Sequence, residues 1–131
     1  MAKRVVPAYR AAKPAGPYSQ AVRAGRLVFV SGQLPMDPTS TELVKKPIEK
    51  AVETCFENVK AALSDAGLTL DNVVLVHLYL ADMNDFPKVN EAYAGIFPEN
   101  PPARVAVEVA RLPFDSPIEV QVVACEEEKA L

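Results

Sequence analysis

Two segments near the end of the chain alternate strictly in polarity, and this alternation constrains the fold more than any other feature. In Arg104–Val109, Val105, Val107 and Val109 share one side, and Arg104, Ala106 and Glu108 the other. In Ile118–Cys125, Ile118, Val120, Val122 and Ala124 share one side, and Glu119, Gln121, Val123 and Cys125 the other. A period of two means β-strand. The aliphatic sets are expected to face helices. The opposite sheet face would then carry Arg104, Glu108, Glu119 and Gln121 beside small or apolar residues.

A third run, Asn72–Ala81, is β-branched and apolar on both sides, the pattern of a buried strand. Either Val74, Val76, Leu78 and Leu80 or Val73, Leu75, His77 and Tyr79 must join the mixed face. Such a face is too apolar to be simply solvated and too polar to be a dry core. Burial against other copies of the chain, with a cleft where the charges gather, accounts for it. A homo-oligomer is expected.

Helical spacing appears elsewhere. Ile48, Ala51, Val52, Cys55, Phe56, Val59, Ala62, Leu63 and Ala66 recur at three and four and form one apolar stripe. Pro47 suits its first position and Gly67 its end. Asp85 is expected to cap a second helix carrying Phe86, Val89, Tyr93 and Ile96. Arg26–Ser31 reads as a strand, with Ala21–Arg23 as its partner across Ala24-Gly25. Ten of the twelve prolines fall outside these segments. The order is therefore ββ(β)αβαββ, an α+β fold with a mixed sheet and two helices on one face. With 131 residues, no repeat and no linker, residues 1–131 read as one domain.

Composition narrows the chemistry. The single histidine, His77, excludes a His₂ or His₃ metal site within the chain, and no metal is expected. In an apolar strand it has an ordinary structural explanation. Cys55 lies on the helix stripe, and Cys125 sits beside the acidic run Glu126–Glu128, a poor setting for a nucleophile. That run reads as a solvated tail. Two cysteines do not make a disulfide framework. A formal net charge of −3 argues against nucleic acid as a partner. No apolar run suits a signal peptide or a membrane span, and the basic start (Lys3, Arg4, Arg10, Lys13) is short. A cytoplasmic location is expected.

Three constellations could carry chemistry. Arg104 offers a planar fork for a carboxylate, and Glu119 could orient a water; a structural ion pair is the competing explanation. Gly16-Pro-Tyr18-Ser-Gln20 and Ser31-Gly32-Gln-Leu-Pro35 combine hydroxyls with glycine, which lets a ligand approach the backbone. Ordinary turn chemistry is the competing and simpler explanation.

Taken together, Gly16-Pro-Tyr-Ser-Gln-Ala21, Val30-Ser-Gly-Gln-Leu-Pro35, Asn84-Asp-Phe-Pro-Lys-Val-Asn90, Pro102-Ala-Arg-Val-Ala-Val-Glu-Val-Ala-Arg-Leu-Pro113 and Ile118-Glu-Val resemble the Rid family (RidA/YjgF, long labelled endoribonuclease L-PSP). The resemblance extends over nearly the whole chain. It implies a chorismate-mutase-like fold and a homotrimer with clefts between subunits. It also implies cofactor-free hydrolysis of 2-aminoacrylate and related 2-imino acids, released by pyridoxal-phosphate dehydratases, to 2-keto acids and ammonia. By the same resemblance Arg104 clamps the substrate carboxylate, Glu119 orients the attacking water and Tyr18 bonds the reacting nitrogen. Ser31, Gly32 and Asn90 line the cleft. Ala106 stands where some members carry cysteine; it excludes a thiol mechanism and leaves its backbone for the ligand. The stretch Pro98–Pro102 is shorter than the corresponding loop of many members. Two other functions fit the resemblance: an endoribonuclease or translation inhibitor, and a non-catalytic module that binds 2-keto acids.

Overall fold

Aliphatic alternation and the helical stripe assemble around one core. The computed structural model describes residues 2–8 and 12–127; Arg10 and Glu128 lie outside them. The elements are β1 (Arg4–Val6), β2 (Ala21–Ala24), β3 (Leu27–Gln33), α1 (Ile48–Asp65), β4 (Val73–Leu80), α2 (Phe86–Ile96), β5 (Ala103–Glu108) and β6 (Ile118–Cys125). The strands form one sheet in the order β1-β2-β3-β6-β4-β5. Neighbours are antiparallel except β4 and β5, which α2 connects as a crossover. The expected α+β architecture, a mixed sheet with both helices on one face, is met. No helix among the described residues is long and apolar enough to cross a membrane.

The stripe on α1 is buried from Ile48 to Leu63 and packs on Val28, Val30, Val120 and Val122 of the sheet. Phe56 meets Tyr93 and Phe97 edge to face at 5.9 and 5.5 Å. Each such pair adds about 0.5–1.5 kcal/mol beyond burial. Gly67, at φ +76°, ends α1 as expected, and its N–H reaches the Ser64 carbonyl at 3.0 Å. Pro47 sits one residue earlier than expected, extended and just outside the helix. The β2–β3 turn is Gly25-Arg26, because Ala24 pairs with Leu27. Asp85 precedes α2 without capping it; the side chain of Asp82 instead accepts from the Asn84 N–H at 2.9 Å. β1 was not legible in the sequence. It has three residues and borrows its register from β2.

The alternation in β6 is as expected: Ile118, Val120, Val122 and Ala124 are fully buried under the helices. In β4 an irregularity of register between Val73 and Leu75 lets Val73, Val76, Leu78 and Leu80 face inward. Leu75, His77 and Tyr79 therefore join the outer face.

In β5 the expectation fails. Arg104 pairs with the buried Val76, so Arg104, Ala106 and Glu108 face the helix side. Val105 and Val107 point outward, 45% and 39% exposed. The reason lies in α2. It offers Arg104 aromatic faces and an amide, while the Met83 N–H at its approach binds Glu108 Oε1 at 2.8 Å. An edge strand beyond the main core can point long polar side chains inward, because their heads still reach water. Arg104 and Glu119 consequently lie on opposite faces of the sheet, not on one.

Candidate active site

A β-bulge places the first site residues. Between Val30 and Gln33 the register of β3 against β6 shifts, so Ser31 and Gly32 together oppose one residue of β6. The extra residue turns Gln33 into the interior, 3% exposed. Its Nε2 donates to Gln20 Oε1 at 2.6 Å, and the Gln20 amide donates to the Ala12 carbonyl. Asn58, the one buried polar residue on the α1 stripe, accepts from the Ala12 N–H at 3.2 Å and donates to the Met36 carbonyl at 2.7 Å. Ser31 Oγ donates to the Ser19 carbonyl at 2.6 Å, and the Ser31 N–H to the Gln20 carbonyl at 2.8 Å. The segment before β2 is thus fastened to β3 and α1 mainly through main-chain atoms. Tyr18 rides on it, half exposed, with its hydroxyl accepting from the Ala15 N–H at 3.1 Å.

Glu119, on the outer face of β6, folds its side chain against Gly32. Only a glycine leaves that room: a Cβ on Gly32 would lie 2.8 Å from Glu119 Cδ. Burial holds the Glu119 carboxyl above its ordinary value. Tyr18, Ser31, Gly32 and Glu119 line one open cavity of about 450 Å³, with Ala15, Leu34, Pro113 and Phe114 as its apolar walls.

Phe114 was not legible as a site residue. It and Asp115 both adopt left-handed backbone, at φ +58° and +54°. This conformation costs about 1–3 kcal/mol for each non-glycine residue. Asp115 is fixed by Arg111, whose Nε and Nη2 donate to the two carboxylate oxygens at 2.8 and 3.4 Å. The fully buried Ser116 anchors the other side, donating to the Ile118 carbonyl at 2.7 Å. Nothing in the letters Pro-Phe-Asp-Ser signals this turn, since glycine or asparagine is the usual occupant.

Arg104 forms a second cluster on the helix side. Its Nη1 donates to Asn90 Oδ1 at 2.8 Å. Its guanidinium lies 4.8 Å from the Tyr93 ring centre and 5.4 Å from that of Phe86. Cation–π contact and the amide fix the fork while leaving it exposed. Among the described residues no carboxylate pairs with it. Burial pushes the Tyr93 phenol up, partly offset by Arg104. Phe86 and Tyr93 were legible only as members of a helix stripe, not as a cradle for arginine. Ala106 shares this face of β5 and packs against the core.

The expected site is therefore divided within one chain. Tyr18, Ser31, Gly32 and Glu119 come together; Arg104 and Asn90 come together elsewhere. His77 lies on the outer face between Gln121 and Val105, stacked on Tyr79, and its Nδ1 is buried without a partner among the described residues. Cys55 is fully buried, and burial pushes its thiol well up.

Comparisons with known proteins identify the relatives of this chain. The family described as endoribonuclease L-PSP matches residues 9–126. A RutC family protein of Pyrococcus abyssi is 50% identical over 97% of this chain and all of its own length. Human 2-iminobutanoate/2-iminopropanoate deaminase is 43% identical, over 93% of this chain and 89% of its own. The crystal structure of Escherichia coli TdcF with bound serine is 34% identical and superposes with a TM-score of 0.90, over 95% of this chain and 99% of that one. In sequence along most of its length and in the fold of its sheet, the chain belongs to the endoribonuclease L-PSP family, the Rid/YjgF proteins.

Proposed function

We propose that this protein hydrolyses 2-imino acids and their enamine tautomers to 2-keto acids and ammonia, without a cofactor, in clefts between the subunits of a homotrimer. The observation that carries this reading is the Glu119 carboxylate. It is half buried in an open cavity, pressed against Gly32, with Tyr18 on the same cavity wall. The deaminase name of the human relative supports the reaction class, and the serine bound to TdcF supports a ligand of amino-acid size.

The substrate carboxylate requires a cation, and the cavity lining provides none. Arg104 is the matching group: a fixed, exposed fork without a carboxylate partner. Since it lies on the other face of its own sheet, a neighbouring copy would present it, with Asn90, to the Glu119 cavity. The outward Phe29, Val105 and Val107, each about two-fifths exposed, favour such an assembly because they form an apolar outer face.

The chemistry then needs placement more than power. A protonated imine carbon is already electrophilic. Arg104 holds the carboxylate in bidentate fashion. Glu119 takes a proton from a water as its oxygen bonds to the imine carbon, giving a tetrahedral carbinolamine. Glu119 returns that proton to nitrogen, near Tyr18, and then takes the hydroxyl proton as the C=O forms and the C–N bond breaks; it passes this second proton to the departing ammonia, which leaves as ammonium. The 2-keto acid leaves with it. Neither thiol nor imidazole is required.

The test couples a threonine or serine dehydratase to the protein and follows 2-keto acid release against trapping of the imine by semicarbazide. Acceleration by wild type that is lost in Arg104→Ala and Glu119→Gln supports the reading. Equal acceleration by the variants would falsify it. Binding of a 2-keto acid without any acceleration would replace catalysis with a binding role.

A further inference from the structure

The turn at Phe114 holds a large aromatic side chain away from the core. Phe114 is 58% exposed and absent from the hydrophobic cluster, so folding gains little from its ring. Yet two successive residues are kept in left-handed backbone to present it, between the Arg111–Asp115 ion pair and buried Ser116. Strain maintained by its surroundings and aimed at a cavity points to a role there. The ring joins Ala15, Leu34 and Pro113 as the apolar part of the wall that also carries Glu119. This apolar surface beside Glu119 matches a ligand that carries an aliphatic chain next to its reacting carbon.

We propose that Phe114 is a specificity-determining residue: it packs against the substrate side chain and selects 2-imino acids whose apolar chain extends beyond the β-carbon, such as those derived from leucine, over the three-carbon imine derived from alanine. For its reaction this rests on the imine reading above, but the contact itself is a property of the ligand's apolar chain and can be read in binding alone.

The experiment generates imines in situ from leucine and alanine with an amino-acid oxidase, and measures kcat/KM for each by competition with semicarbazide. Wild type is expected to favour the leucine-derived imine by about tenfold or more, the scale of one or two buried methylenes. Phe114→Ala and Phe114→Gly are expected to lower that ratio about tenfold, and Phe114→Leu to restore part of it. Phe114→Gly also separates recognition from folding: glycine is at ease in left-handed backbone, so its melting temperature should not fall while its selectivity does. An unchanged ratio in Phe114→Ala and Phe114→Gly overturns the proposal, as does equal loss on both substrates. The same variants are titrated by calorimetry with 4-methyl-2-oxopentanoate and pyruvate, the corresponding keto acids. If no imine is turned over, the imine reading falls, and the ratio of the two Kd values still decides: a tenfold drop in the variants supports the role of Phe114, whereas an unchanged ratio or no binding of either acid overturns it.

Discussion

Gly32 and Glu119 occupy each other's space. The missing side chain of one is the position of the carboxylate stem of the other, with 2.8 Å between a hypothetical Cβ and Glu119 Cδ. Gly32→Ala should therefore push the carboxylate out of place while leaving the strand intact, because the far end of a flexible side chain can move. The expected result is a loss of about 10²-fold in kcat, the scale of a misplaced acid–base group, with a melting temperature close to wild type. Dehydratase-coupled rates and thermal melts on the same sample check it.

Glu119 is also expected to govern the acidic limb of the pH profile. Burial raises its pKa in the folded protein, so activity that needs the carboxylate should fail at a higher pH than an ordinary glutamate would give. The sign for stability is opposite to that of a salt-bridged carboxylate. Between the unfolded and the folded pKa the native state binds more protons, so stability is greatest below this window and declines as pH rises through it. Glu119→Gln should remove that decline and be at least as stable as wild type at neutral pH, though inactive. Melting temperatures across pH 4–8 (roughly the window for a shifted carboxyl) test both parts.

Arg104 has work that lysine cannot do. Its plane is stacked on Tyr93 and Phe86 and bonded to Asn90. Arg104→Lys keeps the charge but loses the fork and the stacking. KM for the imine should rise about 10- to 100-fold, the worth of one charge-assisted hydrogen bond. Asn90→Ala should follow the same direction with a smaller effect. Steady-state kinetics separating KM from kcat decide it.

Division of the site between two clusters makes a mixing prediction. Arg104→Ala and Glu119→Gln are each expected to be inactive. Subunits of the two, unfolded and refolded together, should regain about one quarter of the sites in random trimers, because a site then draws its intact arginine and intact glutamate from different copies. A mixture that remains inactive, with mixed oligomers shown by mass spectrometry, rejects the divided site.

Asn58 is expected to matter for stability. It is 1% exposed and satisfies the Ala12 N–H and the Met36 carbonyl. Asn58→Leu leaves those groups without partners at a cost of about 1–3 kcal/mol each where they stay buried. Urea titration should show a lower midpoint, and Tyr18 should become more accessible to iodination.

The sequence made the helical stripe, the two buried strands and the order of elements legible, because burial on one face imposes a period and periods survive in a string of letters. The face of β5 was not legible. Val105 and Val107 look like core by the same rule, but the outer sheet face is itself apolar, and the aromatic cradle that draws Arg104 inward belongs to a different element. Tyr18, Ser31, Gly32 and Glu119 were named from motifs, and the structure brings them together. Phe114 carried no motif and no period; only backbone angles reveal it.

The fastening around Ala12, Ser19 and Met36 grips carbonyl oxygens and amide hydrogens that every residue type except proline supplies in full. The loop letters at these positions can therefore drift while the ring of Tyr18 stays where it is. A chain built this way separates the freedom to vary its surface from the obligation to keep its chemistry in register.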